Sequence, residues 1–215
     1  MVLGMTGPKI LTEIRKYLSN LNKEILNHPY IADAEAGKLD KEKISLFAAN
    51  QAYIVYHDAR SLAVMLSKAR YNDELKFFRV VLEGDLKAIN ELGKLCNELS
   101  IDCWSFKNVR PVAACYTHYL AWLALYANPG ESALALTVNL PVWGSNVRRL
   151  LNAFKNKYSL RNLNFLELFA QDYRFLEELA SPIIERYYEV SKERYYLIAR
   201  MIQAYEKMFW DSIYT

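Results

Sequence analysis

The sequence predicts an all-α protein, a bundle of about seven to nine helices forming a single domain over residues 1–215. Three observations predict it. Apolar residues recur at three- and four-residue steps over most of the chain. No stretch alternates apolar and polar residues as a half-buried strand would. Glycine and proline number only 7 and 6, too few for the turns of a strand-rich sandwich or barrel.

The elements follow in order. Pro8 opens a first helix, PKILTEIRKYLSNLNKEIL, with Ile10, Ile14, Tyr17, Leu18, Leu21 and Ile25 along one face. NHPY interrupts it, and a short helix over 29–37 ends at Gly37 as C-cap. Asp40 N-caps a long helix over about 41–70. Asn72 caps the next, with Asp73 and Glu74 in its first turn, where the helix dipole favours acids; it runs to about Leu99. SIDCWSFKNVRP is a loop. Pro111 opens a helix to about Ala127 that is apolar nearly all round, VAACYTHYLAWLALYA, and so belongs at the centre. NPG stops it.

The next helix, Glu131 to about Tyr158, contains NLPVWGSNVRRLL. An interior proline costs about 3 kcal/mol and a glycine about 1. Costs of that size imply a site, a kink needed for packing, or both. LRNLN is then a loop, and Asn162 or Asn164 caps a helix to Leu179. Ser181-Pro182 starts the last helical stretch, to Tyr214, with a break near Ser191.

Composition narrows the function. The net charge is +3, too balanced to predict binding to nucleic acid or membrane. Arg148-Arg149 and Lys155 with Lys157 make a solvated helix face. Cys96, Cys103 and Cys115 suit neither a disulfide framework nor a metal motif, so a reducing cytoplasm is the natural location. The first residues lack a signal-peptide core, and no apolar run approaches the 18 or so that span a bilayer. Three glutamines among many charged residues point to a thermophilic source.

No glycine-rich phosphate loop, nucleophile elbow or H-E-x-x-H is present. No histidine has a glutamate three residues before it, so no di-iron centre, other metal or cofactor is expected. What remains are polar residues in apolar helices. Gln51, Tyr53, His57 and Asp58 lie mid-helix, with Tyr53 and His57 on one face. Tyr116 and Tyr119 lie on the central helix around His118, and Glu206 sits among Tyr205, Met208, Phe209 and Trp210. Each has a bland reading as a core anchor, a satisfied histidine or a solvated acid. Spacing alone predicts an aromatic-lined polar pocket and no reaction.

Four segments in order, HPYIADAEAGKLDKEKISLFAANQAYIV, RPVAACYTHYLAWLA, LPVWGSNVRRLL and YEKMFWDSIY, resemble the TenA family over about His28 to Tyr214. That family is described both as thiaminase II and as a transcriptional activator. The resemblance implies a haem-oxygenase-like fold without haem, often tetrameric, with one pocket per subunit for aminopyrimidines related to thiamin. In complete pockets a cysteine attacks the pyrimidine, an aspartate contacts the ring, tyrosines orient it and a C-terminal glutamate shuttles protons. Here the glutamate is Glu206 and the helix tyrosine Tyr116. Gln51 and Tyr53 match the Q-D-Y string, but the aspartate between them is Ala52. The later tyrosine is Phe169. The nucleophile's segment is LPVW, with Val142 and no cysteine. Trp143 and Asn146, beyond a bend at Pro141, are expected to face the cavity, and Asp58 is the best second carboxylate.

The implied function is salvage of a thiamin-related pyrimidine by hydrolysis without a cysteine nucleophile. The alternative is a pocket that binds an aromatic ligand and does not turn it over. An oxidase like the pyrroloquinoline-quinone synthase, or a transcriptional regulator, ranks below both. The expected partners are a small pyrimidine-like ligand and further copies of the chain, as a homodimer or homotetramer, with no nucleic acid and no membrane.

Overall fold

Residues 5–215 are described by the computed structural model. Among them are nine α-helices and no strand. They are α1 (Gly7–Tyr17), α2 (Ser19–Leu26), α3 (Pro29–Glu35), α4 (Lys41–Ser67), α5 (Asn72–Leu99), α6 (Pro111–Tyr126), α7 (Pro129–Lys157), α8 (Asn164–Phe169) and α9 (Arg174–Tyr214). A 3-10 turn, Phe106–Asn108, lies in the loop before α6. α4 pairs with α5 and α6, and α9 packs on α1, α6 and α7. No helix of the described residues is long and apolar enough to cross a membrane.

Several boundaries differ from expectation, each for a local reason. The first predicted helix is two, α1 and α2, meeting at Leu18. Gly37 takes φ of 71°, the left-handed conformation that ends α3. Asn72 does not cap α5 but is its first residue. The Glu74 carboxylate instead accepts from the backbone N–H of Arg70 (2.8 Å) and of Tyr71. NPG does more than stop α6. Asn128 and Glu131 accept each other's backbone N–H at 2.9 and 3.0 Å, a capping box that starts α7 at Pro129.

Neither Asn162 nor Asn164 is a cap. They tie the loop to α5, donating to Glu98 and Glu91. The helix expected to reach Leu179 stops at Phe169, and a new one starts at Arg174, whose N–H donates to Asp172 (2.9 Å). From there α9 runs 41 residues, unbroken at Pro182 or Ser191. Ser191 stays helical, and its hydroxyl accepts from Asn128 across the interface (2.7 Å). Around Pro182, Ala180, Ile183 and Ile184 are buried, and that packing offsets the proline.

The cysteines also depart from expectation. Cys96, at the end of α5, is bonded to Cys103 in the following loop, with Cα atoms 5.9 Å apart. Only Cys115 is free.

α7 answers the question posed by NLPVWGSNVRRLL. The helix is continuous through Pro141. A proline at 141 leaves the Thr137 carbonyl without its intrahelical donor. The Arg15 guanidinium fills that role, donating to Thr137 O at 3.3 Å while Glu177 holds it from the other side. Gly144 serves packing: a Cβ there would lie 2.5 Å from the Tyr173 ring and 2.7 Å from Phe169 O. Small size at 144 thus lets the α8–α9 junction close onto α7.

Two apolar clusters fill the molecule. One gathers Phe47, Trp143, Phe154, Phe165, Phe209 and Trp210. The other gathers residues of α1, α6 and the middle of α9. Tyr116 and Leu140 touch both. Polar side chains collect at that seam.

Candidate functional site

A cavity of about 50 Å³ lies at the seam, walled by α4, α5, α6, α7, α9 and the end of α8. α4 presents Gln51, Ile54, Val55, Asp58 and Leu62, one helical stripe at three- and four-residue steps. α5 presents Val81 and Asp85, α6 Tyr116 and Leu120, and α7 Leu136, Asn139, Leu140 and Trp143. Phe169 and α9's Glu206 and Phe209 complete it.

Glu206 is buried on α9. One carboxylate oxygen accepts from Asn139 Nδ2, and the other from Trp210 Nε1 at 3.3 Å. Asn139 also donates to Gln203 Oε1 (2.9 Å) and accepts from the Tyr116 hydroxyl (2.8 Å). Tyr116 and Glu206 are therefore coupled through one amide. Burial raises the Glu206 pKa to about 8, against the opposing donations of Trp210 and Asn139. Burial also pushes the Tyr116 phenol well above its usual value, helped by the charges of Asp58, Glu206 and Asp85.

Asp58 and Asp85 are both buried. Burial raises each, opposed at Asp58 by the neighbouring Thr117 hydroxyl and reinforced at Asp85 by the Asp58 charge. Asp58 Oδ1 has no hydrogen-bond partner.

On its α5–α8 side the cavity meets an open groove of about 650 Å³, and Val81, Asp85, Leu140 and Phe169 line both. The cavity alone holds a few waters, well short of the roughly 150 Å³ that admits a benzene ring. A flat ring fits only if the walls that the cavity shares with the groove give way.

Of the residues singled out from sequence, Glu206, Tyr116, Gln51, Asp58, Trp143 and Phe169 meet in this cavity. Two do not. Tyr53 faces the outer side of α4, where its ring lies 4.1 Å from His57 and its hydroxyl 3.2 Å from His118 Nε2. Position 53 is two residues from Gln51, about 200° round the helix. Asn146 is buried two turns further along α7, donating to Ile25 O at 3.0 Å. It lies seven residues beyond Asn139, but α2 covers that end of the helix, so its side chain serves the core. Ala52 is packed in the core and forms no part of the cavity wall. Cys115 opens instead onto an outer groove between α6 and α9. No group of three or more His, Cys, Asp or Glu side chains among the described residues is arranged to hold a metal ion.

Sequence reasoning missed Asp85 and Asn139. Asp85 carried a usable signal: Phe78, Val81, Ala88 and Leu92 share its stripe of α5, so it is an acid on an apolar face. Asn139 carried none, because α7 is buried on nearly every side there.

The chain resembles known proteins in family and fold. The family model for the TENA/THI-4/PQQC family matches residues 15–215. A TenA homologue from Pyrococcus furiosus superposes with a TM-score of 0.79 at 21% identity, covering 95% of this chain and 100% of that one. A domain with a heme oxygenase-like fold from Shewanella denitrificans gives 0.79 at 15%, covering 95% and 91%. A protein described as a TenA-like thiaminase from Sulfolobus solfataricus gives 0.72 at 17%, covering 94% of each. No curated protein matches in sequence.

Proposed function

The chain belongs to the TENA/THI-4/PQQC family, and from that premise we propose that it hydrolyses a small thiamin-related aminopyrimidine compound without a cysteine nucleophile. The observation that carries the reading is Glu206: a buried carboxyl on the cavity wall with a pKa near 8, linked through Asn139 to Tyr116. At pH 7 about a tenth of such carboxyls are ionised, which suits a general base. No cysteine lines the cavity, so a water must supply the attacking oxygen.

A formylated aminopyrimidine would be hydrolysed in two steps. The Glu206 carboxylate takes a proton from water, whose oxygen bonds to the formyl carbon. The tetrahedral intermediate expels the amine as the C–N bond breaks, and Glu206 returns the proton to the leaving nitrogen. The products are formate and the free aminopyrimidine. Asn139 aims the Glu206 carboxyl, and Trp143 and Phe209 supply flat walls for the ring. The test is turnover of aminopyrimidine and formyl-aminopyrimidine by the native protein and by Glu206→Gln. We expect a loss of about 100-fold or more in kcat. Equal turnover in both, or none in either, refutes the reading.

The lack of a cysteine in the cavity wall favours a second reading, a pocket that binds an aromatic ligand unchanged. Calorimetric binding of the same compounds with no product formed would select it.

A further inference from the structure

The hydrolytic scheme leaves two acids of the cavity unused. Asp58 of α4 and Asp85 of α5 both line it, and Asp85 lines the entrance groove as well. Of the other three buried acids, Glu206 is held by the Asn139 and Trp210 donors, and the two outside the cavity, Glu74 and Glu131, are paired with arginine. Glu74 has Arg186 at 3.0 Å, and Glu131 has Arg194 at 2.6 Å. Asp58 and Asp85 have no such partner, because no Lys, Arg or His lines the cavity. Asp58 is 7% exposed, and its Oδ1 points to no donor at all. An unanswered carboxylate oxygen in the interior is expensive. Burial pushes both carboxyls upward and the Asp58 charge pushes Asp85 further, so the pair holds on to protons that a ligand's donors can replace. The groove outside has the same sign. Glu83, Glu91 and Glu167 outnumber Lys87 in its lining; Arg79 pairs with Glu83 and Lys94 with Glu91, which leaves Glu167 and Asp85 without a cationic partner there.

We propose that Asp58 and Asp85 form the head-group site of the cavity, taking the cationic, amidine-like end of a small unphosphorylated ligand that enters from the α5–α8 groove. The inference rests on the reading of this cavity as the ligand site. A planar amidinium has N–H donors on two nitrogens and can donate to both carboxylates at once, answering Asp58 Oδ1. The aromatic walls then receive the body of the ligand, and Glu206 lines the same cavity. A phosphate finds no countercharge there, and buried uncompensated charge is strongly unfavourable.

The test uses acetamidinium chloride, small enough for the cavity as it stands, against its neutral counterpart acetamide. Thermal melting of the native protein, Asp58→Asn and Asp85→Asn is followed at pH 7 over a range of each compound, with circular dichroism checking that the variants fold. The expected result is a saturable rise in Tm with acetamidinium, with half-saturation at least about tenfold higher for acetamide and for each variant. Should one variant not fold, the other carries the comparison. No saturable acetamidinium effect, an equal effect of acetamide, or folded variants that respond as the native protein does would overturn the proposal. Pyrimidine turnover abolished by Glu206→Gln alongside such a failure would leave the hydrolytic reading standing. Amidinium selectivity without turnover would sink the hydrolytic reading alone.

Discussion

Replacing Glu206 by glutamine separates what the carboxyl does for stability from what it does for chemistry. In the native protein its pKa is near 8, against 4.5 for an ordinary glutamate. The folded state therefore keeps a proton that the unfolded chain gives up. The stability that proton confers is complete below about pH 4.5 and is lost as pH rises through 8. From pH 4.5 to pH 7, at 1.36 kcal/mol per pH unit, the loss is about 3 kcal/mol. Glutamine does not titrate, so the variant lacks this slope. It is also a poorer partner: Asn139 and Trp210 both donate to Glu206, and an amide offers only one acceptor oxygen. One lost hydrogen bond costs about 1–3 kcal/mol at every pH. The variant should thus be the less stable protein near pH 4.5 and should gain about 3 kcal/mol on the native protein by pH 7. Urea unfolding at pH 4.5, 5.5 and 7 measures the difference. Asp58 and Asp85 titrate in both proteins and largely cancel. A difference that stays flat with pH would refute Glu206 as a buried proton-holding acid, and the general base with it.

Three further outcomes follow from the packing. Arg15→Met strands the buried Thr137 carbonyl and should cost about 1–3 kcal/mol in urea unfolding with kcat intact; a change within 0.3 kcal/mol would show that Pro141 needs no such donor. Gly144→Ala drives a methyl into Tyr173 and the Phe169 carbonyl, so it should cost about 1–3 kcal/mol and weaken ligand binding through the Phe169 wall; unchanged melting and affinity would argue against that close approach. Reduction of the Cys96–Cys103 bond, whose sequence separation is 7, should cost about 2.5 kcal/mol on the loop-closure argument; thiol titration with no fall in Tm would contradict it.

Much of the helical frame is legible in the sequence, because three- and four-residue periodicity and prolines at first-turn positions are local signals. Gly37, Pro111 and the end of α5 near Leu99 fall where those signals put them. Pro182 and Pro141 are where local reading fails. Both lie inside continuous helices, because tertiary packing and the Arg15 guanidinium offset what each proline removes. The site was legible in part for the same reason. Glu206, Tyr116, Gln51 and Asp58 sit on helix faces that periodicity or the family resemblance can point to. Tyr53 and Asn146 shared those motifs but not the cavity.

By itself, then, the sequence determined an all-α bundle, its TenA resemblance, and the absence of a cysteine from LPVW. All of these reside in residue identity and short-range pattern. Only the tertiary structure decided that Asn139 stands between Tyr116 and Glu206, that Arg15 serves the carbonyl freed by Pro141, and that Asp85 joins Asp58 across the cavity. Those partners come from helices far apart in the chain, and no local periodicity records which faces will meet once the bundle closes.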